Sequence, residues 1–281
     1  MGRRIAFDCV RYGLLTRLYD AAPGVAEDAV RWVRSTMEQW REQGRLSADV
    51  ADRAVALIQA AQELDQCAGD ADLAFESVPE NVALKRRVFA ELDRVLPPNA
   101  LIVSNTSAIP ASRLATATAR PERVLNVNFG HLGHRKVEMM GHAGTAPEAI
   151  AAVNSFLREL GLVPIVVRGE SVGYATNRVW RAVKKEVLKL IARGLVSAED
   201  IDRGWMLDWG VDVGPCGLMD HIGLDVVRDI ELIYYDESGD ENDRPPAFLD
   251  GMIAAGKLGT KSGEGFYRYP NPSYEQSGFL D

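Results

Sequence analysis

The chain has 281 residues, 47% of them hydrophobic and 26% charged, which is typical of a folded protein of one or two domains. Forty acidic against 32 basic residues give a net charge of -8, which argues against nucleic acid or an anionic membrane surface as the main partner. No apolar run approaches the roughly 18 residues of a membrane span. Cys9, Cys67 and Cys216 form neither a disulfide framework nor a zinc site, and no other residue set has metal-ligand spacing. These features predict a cytoplasmic protein.

The first half of the chain alternates short apolar strands with amphipathic helices. After an opening helix that reaches Gly13, strands are predicted at 14–20, 73–78, 101–105, 124–129 and 163–167. Helices are predicted at 25–63, 81–96 and 146–160, the first broken at 44–47 with Ser47 as a helix N-cap. This alternation predicts βαβ units and a mostly parallel sheet.

In the second half of the chain, the hydrophobic periodicity is that of helices alone. Residues 177–193, 198–206, 217–234 and 246–255 all show helical patterns with no strand pattern between them. We place a domain boundary near 168–172, which predicts an α/β domain over 1–170 and an all-helical domain over 171–281.

A dinucleotide-binding fingerprint, G-x-G-x-x-G between a first strand and its helix, is incomplete in this chain. Asp20 stands eighteen residues past Gly2 at a strand end, where such folds place the acid that binds the adenosine ribose. Gly2 is then the third glycine, and the first strand with the first two glycines is missing. We therefore expect the natural start to lie upstream of Met1 and NAD to bind weakly. An aspartate at a strand end is also a common turn former, so the spacing alone leaves both interpretations open.

Several further segments, taken together in their order and spacing, resemble the 3-hydroxyacyl-CoA dehydrogenase family. They are Glu80-Asn81 with Lys85, the run from Ser104 to Pro110, the run from Gly173 to Arg178, Gly214-Pro215, Gly223-Leu224-Asp225, and the run from Lys261 to Tyr267. The resemblance extends from Gly2 to about Tyr269. It implies a Rossmann-type NAD-binding domain, a helical domain that dimerises, and an active site in the cleft between them.

The resemblance also implies residue roles. Asp20 matches the ribose acid and favours NAD over NADP, because a carboxylate repels a 2′-phosphate. Glu80 and Lys85 match positions beside the nicotinamide ribose. Ser107, also near the cofactor, matches the serine that hydrogen-bonds the 3-oxygen of the substrate, and Asn177 matches the asparagine next to it. Helix capping is the alternative role for Ser107 and for Asn177.

The chemistry of the family rests on a histidine that exchanges a proton with the substrate and a glutamate that orients the imidazole. Glu138 matches the glutamate, but the position of the histidine is occupied by Asn128. An amide cannot accept a proton near neutral pH, so the base is in question. His131 and His134 lie close by in the sequence. Either a rebuilt loop brings one of them into the base position, or both are solvent-facing loop residues.

These observations favour an NAD-dependent oxidoreductase that interconverts a 3-hydroxyacyl thioester, such as 3-hydroxybutyryl-CoA, with its 3-oxo form. One alternative is a dehydrogenase of a free 3-hydroxy acid on the same fold. Another is a catalytically silent homologue that binds nucleotide or only dimerises. In each case we expect a small-molecule ligand and a homodimer formed through the helical half, with Ile230, Leu232, Ile233 and Tyr234 as candidate contacts.

Overall fold

The structure is a computed structural model that describes residues 1–130 and 132–281. The chain divides into two compact units, Met1–Ala175 and Thr176–Asp281. Within the described residues, no helix is long and apolar enough to cross a membrane.

Unit 1 alternates helices and strands. Its helices are α1 Gly2–Arg11, α2 Val25–Glu42, α3 Ala48–Leu57, α4 Leu64–Ala68, α5 Val82–Val95, α6 Ala111–Ala115 and α7 Pro147–Glu159. Its strands are β1 Thr16–Leu18, β2 Ile58–Ala60, β3 Leu73–Glu76, β4 Leu101–Ser104, β5 Val124–Phe129, β6 Lys136–Gly141 and β7 Val163–Val167.

These strands form two sheets. β1 and β2 make a parallel pair, and the other five are arranged in the order β3-β4-β5-β6-β7. Every neighbouring pair in the larger sheet is parallel except β5 and β6, which run antiparallel. The α/β fold with a mostly parallel sheet is therefore confirmed.

Two strands differ from the sequence-based expectation. The helix predicted over 25–63 ends at Leu57, and the next three residues form β2 instead because they pair with β1. Its internal break is confirmed, and Ser47 caps α3 by accepting a hydrogen bond from the Val50 amide at 3.4 Å. β6 was not predicted, since its Lys and Glu interrupt the apolar run, yet it is buried from Val137 to Met140.

Helix α1 lies between the larger sheet and helix α2. Ile5 and Cys9 belong to the core cluster built on β4 to β6 and α7. On the opposite side of α1, Phe7 packs in a second cluster, with its ring centroid 4.8 Å from that of Trp40 on α2. The amphipathic pattern of the opening residues thus supplies two apolar faces rather than one.

Unit 2 is helical, as expected. Its helices are α8 Thr176–Ala192, α9 Ala198–Trp209, α10 Pro215–Ile222, α11 Leu224–Ser238 and α12 Ala247–Ala254. The single helix predicted over 217–234 is split at Gly223, whose φ of 100° is a conformation that favours glycine and ends α10. All-helical architecture for the second half is confirmed.

Two buried aspartates organise the core of unit 2. The Asp202 carboxylate accepts hydrogen bonds from the Cys216 and Gly217 amides, both at 2.8 Å, and from the Tyr267 hydroxyl at 2.9 Å. Asp220 likewise accepts from the Phe266 and Tyr267 amides at 2.9 Å and from a tyrosine hydroxyl. These carboxylates fasten the C-terminal segment to α9 and α10.

Candidate active site

The polar side chains expected to act together lie at the ends of β3, β4 and β5 in unit 1. All three strands run parallel, so their carboxyl ends meet at one edge of the sheet. In open α/β sheets, ligands bind in the crevice outside this edge. The edge is therefore the part of unit 1 to examine for a site.

A buried ion pair stands at the end of β3. The Glu76 carboxylate accepts hydrogen bonds from the Lys85 ammonium at 2.8 and 3.0 Å, and both side chains are fully buried. Glu76 also accepts from the Ser104 hydroxyl and from the Val78 amide, both at 2.6 Å. Lys85 therefore lies inside the unit and supports the sheet edge, with Glu80 at 3.5 Å as its outer partner. The sequence motif contained Lys85 but gave no role to Glu76.

Glu80 fastens the loop that carries Ser107. One oxygen of its carboxylate accepts hydrogen bonds from the amides of Ser107 and Ala108, both at 3.2 Å, and from the Thr106 hydroxyl. Thr106 also accepts the Ile109 amide at 3.0 Å. Ser107 is exposed, and α6 has Pro110 at its N-cap, so Ser107 does not cap that helix. The structure thus brings Glu80, Lys85 and Ser107 together.

Asn128 and Glu138 are direct cross-strand neighbours. The antiparallel register of β5 and β6 places Asn128 opposite Glu138. Residues opposite one another in such a pair lie on the same face, with Cα atoms about 4.5–5.5 Å apart. The next residue on β5, Phe129, donates its amide to the Asn105 side chain at 3.1 Å, which ties this pair to the end of β4.

Glu138 is fully buried, and its described contacts include Ala175 and Lys136. Its Oε1 accepts the Ala175 amide at 3.1 Å, and its Oε2 lies 3.4 Å from the Lys136 ammonium. Lys136 stands two residues earlier on β6, and its side chain is 47% exposed. Sequence reasoning missed Lys136, although a lysine two residues from a buried glutamate in a strand shares its face.

Tyr174 connects the loop of Ser107 with the segment that anchors Glu138. It has a φ of 55°, the left-handed region rarely adopted by residues other than glycine, and it follows Gly173, whose φ is 78°. Its buried hydroxyl donates to the Thr106 carbonyl at 3.0 Å. Burial, with the nearby charges of Glu138 and Glu80, raises the pKa of Tyr174 well above its usual value. The hydroxyl therefore stays protonated and serves as a fixed donor.

His131 lies outside the described residues. The His134 side chain lies close to the end of β5, because a Cβ added at Gly130 would be 3.6 Å from its Nδ1. His134 lines a cleft of about 290 Å³ that also contains Tyr12 and Trp40, and its carbonyl accepts a hydrogen bond from Arg4 at 2.9 Å. Asn177 belongs to unit 2, where it is the second residue of α8 and so lies inside the helix rather than at its cap.

The expected nucleotide site is a cleft of about 270 Å³ beside the ends of β1 and β2. Asp20 is exposed there, and its carboxylate accepts the Ala22 amide at 2.9 Å. A carboxylate free on its outer side, at the carboxyl end of parallel strands, suits the diol of an adenosine ribose. Gly2 begins α1, and a Cβ there would lie 3.8 Å from Ser77, so the helix N-terminus adjoins the end of β3. A helix N-terminus at this position suits a pyrophosphate, so these residues fit NAD.

Two family descriptions match the chain. Residues 1–171 match the NAD binding domain of 3-hydroxyacyl-CoA dehydrogenase, and residues 173–269 match the C-terminal domain of the same enzyme family.

Similar proteins cover almost the whole chain. A probable 3-hydroxybutyryl-CoA dehydrogenase of Bacillus subtilis is 31% identical over 96% of this chain and 94% of its own length. The 5-formyl-3-hydroxy-2-methylpyridine 4-carboxylate 5-dehydrogenase of Mesorhizobium japonicum is 30% identical over 96% of this chain and 87% of its own. The crystal structure of (S)-3-hydroxybutyryl-CoA dehydrogenase from Ralstonia eutropha superposes with a TM-score of 0.87 at 31% identity, covering 96% of each chain.

These comparisons confirm the resemblance inferred from the motifs. They also confirm NAD as the cofactor and oxidoreductase chemistry as the class of reaction.

Proposed function

Because the chain belongs to the 3-hydroxyacyl-CoA dehydrogenase family, we propose that it interconverts a 3-hydroxyacyl-CoA, such as 3-hydroxybutyryl-CoA, with the corresponding 3-oxoacyl-CoA. The observation that carries this proposal is the register of β5 and β6, which sets Glu138 opposite Asn128, the residue that we match to the family's histidine. The exposed Ser107 on the adjoining edge can donate a hydrogen bond to the 3-oxygen.

The cofactor would be held by groups of unit 1. Asp20 would accept hydrogen bonds from the adenosine ribose, and the N-terminus of α1 at Gly2 would face the pyrophosphate. NAD, when bound, supplies the acceptor for the hydride. Lys85 is buried, so we assign it and Glu76 a positioning role behind Glu80 and the Ser107 loop. Asn177 stays our candidate for a second contact to the substrate.

Proton transfer needs a group other than Asn128. His131 and His134 are the histidines that the sequence offers, and Glu138 was expected to orient whichever imidazole serves. Loss of a general base costs about 10²–10⁴-fold in rate. Replacing His131 or His134 with Gln should therefore abolish turnover only where that histidine exchanges the proton.

The direct test is NADH oxidation with acetoacetyl-CoA, followed by the absorbance of NADH. Turnover that falls strongly in Ser107→Ala supports the proposal. Asp20→Ala should weaken NADH binding and relax the preference against NADPH, since the carboxylate that repels a 2′-phosphate is gone. A chain that binds neither NADH nor acetoacetyl-CoA contradicts the proposal and leaves the silent homologue as the better interpretation.

A second candidate is a dehydrogenase of a free acid. The similarity to the Mesorhizobium japonicum enzyme, whose name specifies a pyridine carboxylate rather than a thioester, supports this alternative. A panel of free 3-hydroxy acids and hydroxymethylpyridine carboxylates, assayed against 3-hydroxybutyryl-CoA, separates the two. Turnover of the free acids alone would favour the second candidate.

We also propose a cytoplasmic homodimer formed through unit 2. Large apolar side chains of this unit are exposed, among them Trp209 at 68%, Val179 at 67% and Ile233 at 60%. Exposed apolar surface of this kind marks sites of protein association. Sedimentation at micromolar concentration should give twice the chain mass of 30.8 kDa, and a monomer would contradict the proposal.

A further inference from the structure

A fully buried carboxylate in unit 1 raises the question of what balances its charge. Glu138 is completely buried on β6, and an ionised carboxylate removed from water needs an opposite charge or several hydrogen bonds. The Ala175 amide supplies one hydrogen bond. The residue opposite on β5, Asn128, is a neutral amide. Among the contacts that the structure describes for Glu138 is the Lys136 ammonium, at 3.4 Å.

Lys136 is placed on the same face as both polar residues. Side chains alternate along a strand, so Lys136 and Glu138 point to one side of β6, and cross-strand pairing adds Asn128 to that side. Unlike Glu138, the Lys136 side chain is half-exposed. The Lys136 ammonium therefore contacts the buried Glu138 carboxylate and is also accessible to solvent.

We propose that Lys136, oriented by Glu138, exchanges the proton with the 3-oxygen of the substrate, in the role that the family gives to its histidine. This inference rests on the proposed function and assigns the proton-exchanging group that Asn128 cannot provide. A lysine is a suitable group because its ammonium stabilises the negative charge that develops on the oxygen before the proton moves.

In the direction of reduction, the carbonyl carbon receives the hydride that NADH would supply when bound, and the π electron pair moves to the oxygen, which takes a proton from the Lys136 ammonium. One C–H and one O–H bond form on the substrate, while the C–H bond that held the hydride, one N–H bond of Lys136 and the C–O π bond break. The neutral amine then takes a proton from water. Oxidation of the alcohol runs through the same steps in reverse.

Lys136 has both charged and uncharged neighbours. On its own strand it faces Glu138, and β7 places the uncharged Val163 and Ile165 opposite these two residues. The preceding turn contributes His134 and Arg135, whose guanidinium donates to the Gly161 carbonyl at 3.0 Å. The segment before unit 2 contributes Tyr174, which burial keeps protonated.

Two substitutions separate proton transfer from charge balance. Lys136→Arg keeps a cation for Glu138 but cannot release its proton, and Lys136→Met removes both functions. We expect each to lower turnover of acetoacetyl-CoA by about 10²–10⁴-fold, with the melting temperature retained in Lys136→Arg. The matched control is Lys257→Met. Lys257 pairs with Glu264 at 2.8 Å, and its side chain is 42% exposed, so its loss should leave turnover unchanged.

The pH profile identifies the proton donor. With Lys136 as donor, the pH dependence of reduction should be the same in His131→Gln and in His134→Gln as in the unmodified protein. A decline in reduction that begins near neutral pH, and that disappears in His131→Gln or His134→Gln, would overturn the assignment.

Amine labelling provides a readout that does not depend on turnover. Acetic anhydride labelling followed by mass spectrometry should show that acetoacetyl-CoA, without NAD, protects Lys136 but not Lys257. Equal labelling of Lys136 with and without acetoacetyl-CoA would overturn the inference. Turnover that survives Lys136→Met would contradict this assignment alone, whereas an unmodified protein without any turnover would contradict the proposed function as well.

Discussion

The two units of the chain bury carboxylates in different ways. In unit 1, Glu76 is paired with the ammonium of Lys85, and a serine hydroxyl and one amide complete its hydrogen bonds. In unit 2, Asp202 and Asp220 are held by backbone amides and tyrosine hydroxyls, with no cation within the contacts described above. Backbone amides are fixed by the fold, whereas the ammonium of a lysine side chain can move with its partner. The ion pair of unit 1 therefore suits the edge of a site, and the amide-bound carboxylates of unit 2 suit the attachment of one chain segment to another.

Removing the cation in unit 1 should give the largest loss of stability. Lys85→Met leaves Glu76 buried without its counter-charge, which costs about 3–5 kcal/mol in the free energy of unfolding. Urea denaturation measures the loss. The double variant Glu76→Gln with Lys85→Met should regain part of it, because no uncompensated charge is left.

An exposed pair whose arginine lies on α5, the helix of Lys85, provides the control. Arg94 and Asp65 lie 3.3 Å apart with both side chains more than two-thirds exposed, and exposed pairs contribute little. Arg94→Met should change stability far less than Lys85→Met. Equal losses would mean that the buried pair has no special role in unit 1.

A smaller loss is expected when a carboxylate of unit 2 becomes an amide. In Asp220→Asn one of the two backbone donors, from Phe266 or Tyr267, faces an amide NH₂ instead of an oxygen. A buried donor left unpaired costs about 1–3 kcal/mol. Urea denaturation of Asp220→Asn should show this loss, and the exposed Asp208→Asn should not. If Asp220→Asn lowers the free energy of unfolding no more than Asp208→Asn does, other contacts hold the C-terminal segment in place.

The pH dependence sharpens the same comparison. Burial raises the pKa of Asp202 and of Asp220 in the folded state. Stability from these groups is then fully present below their ordinary pKa near 3.8 and is lost as the pH rises through the raised folded value. The difference in unfolding free energy between the unmodified protein and Asp220→Asn should be larger near pH 4 than near pH 7. The opposite slope would mean that the amide donors outweigh burial.

The smallest effect in this series is expected for the reaction of the cysteines with a thiol reagent, which reports on each unit separately. Burial raises the pKa of Cys9 in unit 1 to about 12, and burial beside Asp202 also raises the pKa of Cys216 in unit 2. Thiolates are the reactive form, so both should react with a disulfide reagent only after unfolding. Cys67, which is half-buried, should react first. Measured across a urea series, Cys9 and Cys216 show which unit opens earlier, and rapid reaction of all three in the folded protein would contradict the burial.

Much of the fold follows from local pattern. The run from Leu101 to Ser104 is apolar on both faces up to its last residue, which marks a strand covered on both sides. The run from Val124 to Phe129 has one fully apolar face, with Leu125, Val127 and Phe129, and both strands were predicted almost to the residue. The short strand β2 was not, because its helical neighbours extend the pattern and only pairing with β1 decides its conformation. Likewise, Gly223 ends a helix through its φ of 100°, which sequence period does not show.

In the candidate site, too, some residues follow from the sequence and others depend on long-range contacts. Counting residues matches Asn128 to the family's histidine, and the structure pairs Asn128 with Glu138 across two strands. Glu76, Tyr174 and Lys136 were not anticipated, since each becomes relevant only through a long-range contact: an ion pair with Lys85, a bond to the Thr106 carbonyl, and a shared strand face with Glu138.

The antiparallel pairing of β5 and β6 has a consequence for how this chain can vary. Asn128 and Glu138 face each other because of the ladder between the two strands, and residues 130–135 lie between these strands in the sequence. Connections at a sheet edge accept insertions and deletions at small entropic cost. Residues can therefore be added to or removed from this connection without shifting the pair, which makes it a natural position for diversification and for libraries that seek new substrates.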